Sequence, residues 1–182
     1  MFSPSTSTVG GDSSLIAGYG SMQTSGGDRS LTAGYGSTQT AGHGSILTAG
    51  YGSNSTAGDE STLTAGYGST LTALENSSLT AGCGSTEIAG FSSTLIAGYG
   101  SSQTAGGDST LTAGMGSVQT AGDRSKLIAG ADSTQIAGDR SKLLAGSNSF
   151  LRTCSRSPEQ QCQERQVDEL QAGIEPSLAV LP

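Results

Sequence analysis

One pattern recurs every 16 residues over most of this 182-residue chain. Residues 33–42 show it in its clearest form, AGYGSTQTAG. The Ala-Gly pair that opens the pattern recurs at an exact spacing of 16 residues, and a Ser always stands four residues after that Ala. The Ala residues occupy positions 17, 33, 49, 65, 81, 97, 113, 129 and 145. Spacing this strict indicates a repeat architecture, in which each unit packs only against its neighbours.

The composition excludes several other classes of protein. The chain has 29 Gly, no Trp and only three Phe, which are too few large apolar residues for a conventional core. Gly/Ser-rich sequence is usually disordered, but a flexible linker has no reason to keep a register. The formal net charge of -7 argues against nucleic acid as a partner. No apolar run is long enough for a membrane helix, and the first residues do not resemble a signal peptide.

The repeat divides the chain into three parts. Residues 1–8 are predicted to be a disordered lead-in, and residues 9–152 form the repeat domain. Residues 153–182 have a different composition and are predicted to be disordered or to form a short helix, which would begin near Ser157 and end near Gly173. We interpret this tail as a sign of an incomplete or rearranged gene product.

Each 16-residue unit consists of two similar octads, and each octad predicts one short strand. In an octad, the Ser, the middle residue of the following triplet and the next Ala lie at i, i+2 and i+4, and therefore share one face of a strand. A period of two disfavours a helix, and the Gly after each Ala supplies backbone freedom for a corner. The sequence predicts an all-β fold, a parallel β-solenoid with two short strands in each 16-residue coil.

The predicted interior is thin and partly polar. Stacked Ser, Ala and Leu residues point inward, together with Gln residues whose amides can hydrogen-bond from coil to coil. Ser55, Leu71 and Glu87 replace Gln in this ladder, and Arg29 stands at an inward Ser position. We expect the chain near residues 25–30 to be distorted by Arg29. The Gln ladder comprises Gln23, Gln39, Gln103, Gln119 and Gln135.

The Thr residues on either side of each triplet's middle residue are predicted to point outward. They form a flat grid of hydroxyl and methyl groups, held in fixed rotamers by the branched Cβ. Such a grid can order water, because each hydroxyl both donates and accepts a hydrogen bond. Thr is also simply a favourable residue on the solvent face of a strand. The residues alone leave both interpretations open.

The units resemble the central repeats of bacterial ice nucleation proteins over about residues 9–150. The matching stretches are AGYGSTQTAG, AGYGSTLTALENSSLTAG and AGDRSKLIAGADSTQIAGDRSKLLAG. The resemblance implies a surface that templates ice, self-association into homo-oligomers and a location on the external face of the cell outer membrane. The membrane-linked N-terminal domain and the C-terminal cap of the family are not recognisable, so membrane association would depend on regions that we do not find.

The resemblance also implies roles for particular residues. The water-organising positions of the family's T-x-T motif correspond to Thr24, Thr38, Thr40, Thr56, Thr70, Thr72, Thr86, Ser102, Thr104, Thr120 and Thr134. A second face, which we rank as a weaker candidate of the same kind, has Thr62, Thr64, Ser78, Thr80, Thr110 and Thr112.

Two further features of the family recur at the edges of the coils. Tyr19, Tyr35, Tyr51, Tyr67 and Tyr99 are spaced to form a ladder, which either only steadies the coils or also supports lateral dimerisation. The basic residues Arg124, Lys126, Arg140 and Lys142 resemble those of terminal coils implicated in assembly, although a charged end that blocks uncontrolled stacking fits them nearly as well.

The sequence gives no support for catalysis or for a cofactor. His43 is the only His and lies at a variable corner, and the three Cys have no metal-like spacing and give no clear disulfide framework. A calcium-binding nonapeptide repeat would need a different period. Three function classes stay open: ice nucleation, ice binding that inhibits crystal growth, and a passive structural or adhesive solenoid.

Overall fold

The structure, a computed structural model, describes residues 5–9, 14–154 and 162–167. The described chain forms short strands joined by tight corners, and no helix occurs in these ranges. Strands that are 16 residues apart pair in parallel, as Thr38 does with Asn54. The predicted parallel β-solenoid with two strands per coil is confirmed.

The first sheet, called sheet A, has eleven strands. In spatial order they are β1 (Thr6–Val9), β3 (Met22–Ser25), β5 (Thr38–Thr40), β7 (Asn54–Thr56), β9 (Thr70–Thr72), β11 (Thr86–Ile88), β13 (Ser102–Thr104), β15 (Val118–Ala121), β17 (Thr134–Ala137), β19 (Ser149–Cys154) and β20 (Cys162–Val167).

The opposite sheet, called sheet B, has nine strands. In spatial order they are β18 (Lys142–Leu144), β16 (Lys126–Ile128), β14 (Thr110–Thr112), β12 (Thr94–Ile96), β10 (Ser78–Thr80), β8 (Thr62–Thr64), β6 (Ile46–Thr48), β4 (Ser30–Ala33) and β2 (Ser14–Ala17).

The two glycines of the corner have different roles. Gly36 and its equivalents have a positive φ, which the turn requires. The Gly that follows Ala does not: a Cβ at Gly50 would stand 2.9 Å from the backbone of Gly34 and Tyr35 in the preceding coil. The prediction that this Gly supplies the corner's freedom is therefore wrong, because close approach of neighbouring backbones is what excludes a side chain there.

The interior has the predicted ladders of Ser, Ala, Leu and Gln, all buried over the central coils. The Gln39 Nε2 atom donates to Gln23 Oε1 at 2.9 Å in the preceding coil, as the amide ladder predicts. It also donates to the backbone oxygen of Thr48 on sheet B at 3.1 Å. The second bond crosses the interior, so the amides join the two sheets as well as the coils.

Arg29 does not distort the chain. It is buried in a Ser column, and β3 and β4 on either side keep their 16-residue register with β5 and β6. The corner residue Asp28 has a φ of 56°, close to the values at equivalent corners such as Glu60. The expected distortion near residues 25–30 is wrong, because stacking on regular neighbours fixes the backbone regardless of this side chain.

The sheets extend beyond the predicted limits of the repeat domain. Thr6–Val9 form β1, where a disordered lead-in is expected, and they pair with β3. Cys162–Val167 form β20, where a disordered segment or a short helix is predicted, and they pair antiparallel with β19. Residues 1–4, 10–13, 155–161 and 168–182 lie outside the described ranges.

The last residue of β19, Cys154, is disulfide-bonded. Its Cα partner in the backbone register of β19 with β20 is Cys162. Cys83 is a free, exposed thiol. The sequence does not predict this disulfide, because the spacing of the three Cys does not show that β20 pairs antiparallel with β19.

Candidate functional site: two hydroxyl-bearing faces

Sheet A presents two outward columns, one on each side of the buried middle residue of its strands. In β5, Thr38 and Thr40 flank the buried Gln39, and all three repeat at 16-residue intervals along the sheet. Residues two apart in a strand stand about 6.6 Å apart, and neighbouring strands about 4.8 Å apart. The columns therefore form a regular grid. From β3 to β13 this grid is interrupted by Met22, Asn54 and Ile88.

The water-organising residues predicted on sheet A all point outward. Those that are exposed are Thr24, Thr38, Thr40, Thr56, Thr70, Ser102 and Thr104. Those that are half-buried are Thr72, Thr86, Thr120 and Thr134. The structure thus brings the predicted set together on one surface, while their role in ordering water stays a prediction.

Sheet B carries a second grid, and its predicted residues also point outward. From β4 to β14 only Ile46 and Ile96 interrupt its hydroxyl columns. Over the central coils, the hydroxyl columns of sheet B therefore have no more interruptions than those of sheet A. This comparison gives no reason to rank sheet B as the weaker face. Thr62, Thr64 and Thr80 are exposed, and Ser78, Thr110 and Thr112 are half-buried.

Several residues that complete these grids were missed by the motif-based prediction. Ser30, Thr32, Thr48 and Thr94 occupy outward positions of sheet B, and Thr8 does so at the start of sheet A. Each stands in step with the 16-residue period. Extending the period to every octad, including imperfect triplets and the lead-in, would have found them.

Ladders of hydrogen bonds and of buried Leu side chains lie behind the two faces. In each Ser column the backbone N–H donates to the Oγ of the Ser one coil later, as Ser37 does to Ser53 and Ser45 to Ser61, both at 3.2 Å. Leu63 and its equivalents are fully buried between the sheets. Outward side chains on such a backing are held in fixed positions, which a template for ordered water requires.

The Tyr residues lie on one edge of the coils. Tyr19, Tyr35, Tyr51 and Tyr67 stack with ring centroids 5.1 Å apart. Cys83 interrupts this stack before Tyr99. The stacking half of the Tyr prediction is thus confirmed for four rings, while dimerisation through this edge stays a prediction.

The opposite edge is charged. His43 is exposed and stands 3.6 Å from Glu60. Near the C-terminal end, Arg124 forms a two-pronged ion pair with Asp108 of the preceding coil, and this hydrogen bonding lowers the pKa of Asp108. Among the described residues, no group of three or more His, Cys, Asp and Glu side chains could hold a metal ion.

The predicted assembly residues lie at two places. Arg124 and Arg140 stand on the charged edge, where Arg140 Nε is 3.6 Å from Asp139 Oδ2. Lys126 and Lys142 are cross-strand neighbours on the outer face of sheet B. Their contribution to assembly stays a prediction.

The outward columns of the central coils carry hydroxyl, methyl and apolar groups and the amide of Asn54. No ionisable group stands among these columns from β3 to β14. Within residues 5–9, 14–154 and 162–167 there is also no helix of the length and apolarity that crossing a membrane requires.

Comparison with known proteins agrees with the geometry of the coils. No curated protein and no solved structure matches the chain significantly. The family model described as ice nucleation protein repeat (2 copies) does match, at residues 4–30, 18–46, 34–62, 66–94 and 83–110. These segments cover more than half of the chain, and the family and its solenoid fold are of a non-enzymatic type. The chain belongs to the ice nucleation protein repeat family.

Proposed function

We propose that this protein nucleates ice on the flat hydroxyl-bearing faces of its solenoid. The observation that supports the proposal is the 16-residue register, which repeats outward Thr residues such as Thr38, Thr40, Thr70 and Thr72 on the same side of sheet A. Each hydroxyl offers one donor and two acceptor sites to water, and each adjacent methyl leaves a small apolar gap. Water bound on such a lattice is held in the order of an ice embryo.

The length of the solenoid limits what one molecule does. About nine coils at 4.8 Å give a face roughly 43 Å long. An embryo is stabilised by the area of ordered surface beneath it, so a single chain nucleates only at strong supercooling. We propose that self-association through the Tyr edge, and through Arg124, Lys126, Arg140 and Lys142, enlarges the template and raises the freezing temperature.

The second candidate function is adsorption to existing ice with inhibition of its growth. The short face supports it, since a template too small to nucleate still binds a crystal. A passive structural or adhesive solenoid is the third candidate. Freezing of supercooled droplets separates them: nucleation raises the freezing temperature above that of buffer, whereas the second candidate shapes crystals without that rise.

The decisive variant replaces Thr38, Thr40, Thr70, Thr72 and Thr104 by Lys. These side chains are outward, so the fold is retained while the grid of sheet A is lost. We expect the freezing temperature of droplets to fall towards that of buffer. A matching variant on sheet B replaces Thr62, Thr64, Thr80, Thr110 and Thr112, and comparing the two variants ranks the faces.

The control variant places Lys at Met22 and Val118, where the columns of sheet A are already interrupted. It adds positive charge to the same face and is expected to freeze droplets at the temperature of the parent chain. Circular dichroism verifies the fold of each variant. If both sets of Thr variants, folded, freeze droplets like the parent, the hydroxyl faces are not the template.

Ice nucleation proteins are displayed on the outer membrane, and we propose the same external location for this protein. The support is its membership of the family. Protease shaving of intact bacterial cells that express the gene tests it, with loss of the repeat region as the expected result.

A further inference from the structure

The Gln residues of the ladder inside sheet A are replaced over three strands, β7, β9 and β11. In β7 the Ser55 Oγ atom still donates to Gln39 Oε1 at 3.2 Å, so the break in the hydrogen bonding lies at β9 and β11. Elsewhere each Gln donates to the preceding coil, as Gln119 does to Gln103 at 2.8 Å. At the break, Leu71 has no polar group and Glu87 stands in the next coil. The Gln103 Nε2 atom donates to Glu87 Oε2 at 2.8 Å, while Glu87 Oε1 has no hydrogen-bond partner.

Glu87 is completely buried and faces no positive charge. Its neighbours on sheet A are Leu71 and Gln103. The inward residues of the facing strands β10 and β12 are Leu79 and Leu95. None of these side chains is ionisable, and the closest ionisable groups along the chain, Cys83, Glu75 and Tyr99, lie at exposed corners. An ionised carboxylate here would be buried without a counter-charge, which is far more costly than a neutral acid.

The Gln residues show what a proton on Glu87 can do. Each ladder Gln also donates to the backbone oxygen nine residues later on sheet B, as Gln39 does to Thr48 and Gln103 to Thr112. The residue at this offset from Glu87 is Ile96, whose backbone oxygen accepts from the backbone N–H of Ala81 at 2.9 Å. A carbonyl oxygen has two lone pairs, so one more donor can be accommodated there.

We propose that Glu87 holds a proton inside the solenoid, and that the protonated carboxyl takes the place of a Gln amide by accepting from Gln103 and donating to the Ile96 carbonyl oxygen. The proton is therefore a bound ligand of the folded state. It supplies the donor that the ladder lacks at this coil and removes the charge that burial disfavours.

The titration of the group agrees with this geometry. Burial raises the pKa of Glu87 from its ordinary 4.5 to about 8, against the lowering effects of the Gln103 hydrogen bond and of the Ala81 backbone. Between these two values the folded chain keeps a proton that the unfolded chain has released. The contribution of Glu87 to stability is therefore expected to be largest below about pH 4.5, to fall as the pH rises to about 8, and to level off above it.

The test compares the full chain with Glu87→Gln, which supplies the amide of the neighbouring coils without a titrating group. Thermal unfolding is followed from about pH 4 to about pH 9. Between about pH 4.5 and about pH 8, we expect the Tm of the parent to fall relative to that of Glu87→Gln. The difference should change by on the order of 10 °C in total. Infrared spectra in heavy water at neutral pH should show a protonated-carboxyl band in the parent that Glu87→Gln lacks.

Two outcomes would overturn the proposal. One is a pair of Tm profiles that differ by a constant offset at every pH, since the proton would then have no link to folding. The other is a Glu87→Gln chain that fails to fold, because an amide would then not fit where the acid does. Glu87→Leu adds a control. Its Tm profile should also lack the fall that the titration of Glu87 causes, but it should be less stable than Glu87→Gln because it has no amide.

A consequence for freezing rests on the proposed function. Thr86 and Ile88, on either side of Glu87, belong to the outer face of sheet A. Loss of the proton should loosen this coil and divide the face into two shorter arrays. Above about pH 8 the parent should nucleate less well than Glu87→Gln. If neither chain nucleates at any pH, the proposed function fails while the Tm profiles still decide the proton site.

Discussion

The central coils and the C-terminal coils share an interior but differ on the outside. Both keep the same register and the same Gln ladder, since Gln135 donates to Gln119 just as Gln39 donates to Gln23. The central faces carry hydroxyl columns. From β15 onwards, Val118, Ile136 and Phe150 appear on sheet A, and Lys and large apolar residues replace Thr on sheet B.

This difference teaches that the fold and the proposed template are specified by separate residues. Inward positions and corners set the stacking, and they tolerate any outward residue that suits a strand. Outward positions can then vary from coil to coil at little cost in stability. The hydroxyl residues of the central coils are therefore not required for the stacking of the coils.

The largest expected effect on stability comes from shortening a buried Leu, and it should differ between the central coils and the last coil of sheet B. Leu63 is fully buried in a central coil, whereas Leu143 is only half-buried in the last coil of sheet B. Leu63→Ala should lower the free energy of unfolding by about 2–5 kcal/mol, because it leaves a cavity between sheets that cannot collapse. Leu143→Ala should cost clearly less. Thermal unfolding measures both, and equal losses would show that the end coil is packed as tightly as the centre.

A smaller effect is expected from the disulfide, and only at the C-terminal end. Cys154→Ser should destabilise the pairing of β19 with β20 by about 2 kcal/mol, because it removes a covalent constraint on the unfolded chain. Amide hydrogen exchange should then accelerate in Cys162–Val167 while Thr62–Thr64 stay protected. Acceleration in both segments would mean that this pairing supports the whole solenoid, and the distinction between end and centre would fail.

The smallest effect concerns the Tyr edge. Tyr51 stacks on a ring at each side, while Tyr99 has Cys83 and Met115 in the neighbouring coils. Tyr51→Ala should cost about 1 kcal/mol more than Tyr99→Ala, since aromatic pairs contribute about 0.5–1.5 kcal/mol each beyond burial. Chemical denaturation of both variants measures the difference. Equal costs would indicate that the rings stabilise the edge without stacking.

Much of the fold was predictable because its information is local and repeated. The period-two pattern within each octad gave the inward Ser, Ala, Leu and Gln, and the 16-residue spacing gave the parallel register. The outward position of residues such as Thr38 and Thr62 follows from the same pattern. The errors arise where local rules are applied to single residues or short segments. Arg29 predicts a distortion that the register of the neighbouring coils prevents, and the pattern after Ser157 predicts disorder or a short helix where Cys162–Val167 form a strand.

The sequence by itself determined the coil, its two sheets and the faces that meet water, because a strict period can be satisfied only by stacking identical units. Only the tertiary structure decided what happens between coils. The closeness of the backbones excludes a side chain at Gly50, the crossing bond of Gln39 links the sheets, and the antiparallel return of β20 joins the end. It also placed Glu87 in an interior without counter-charge, and burial of that kind depends on residues far away in the sequence.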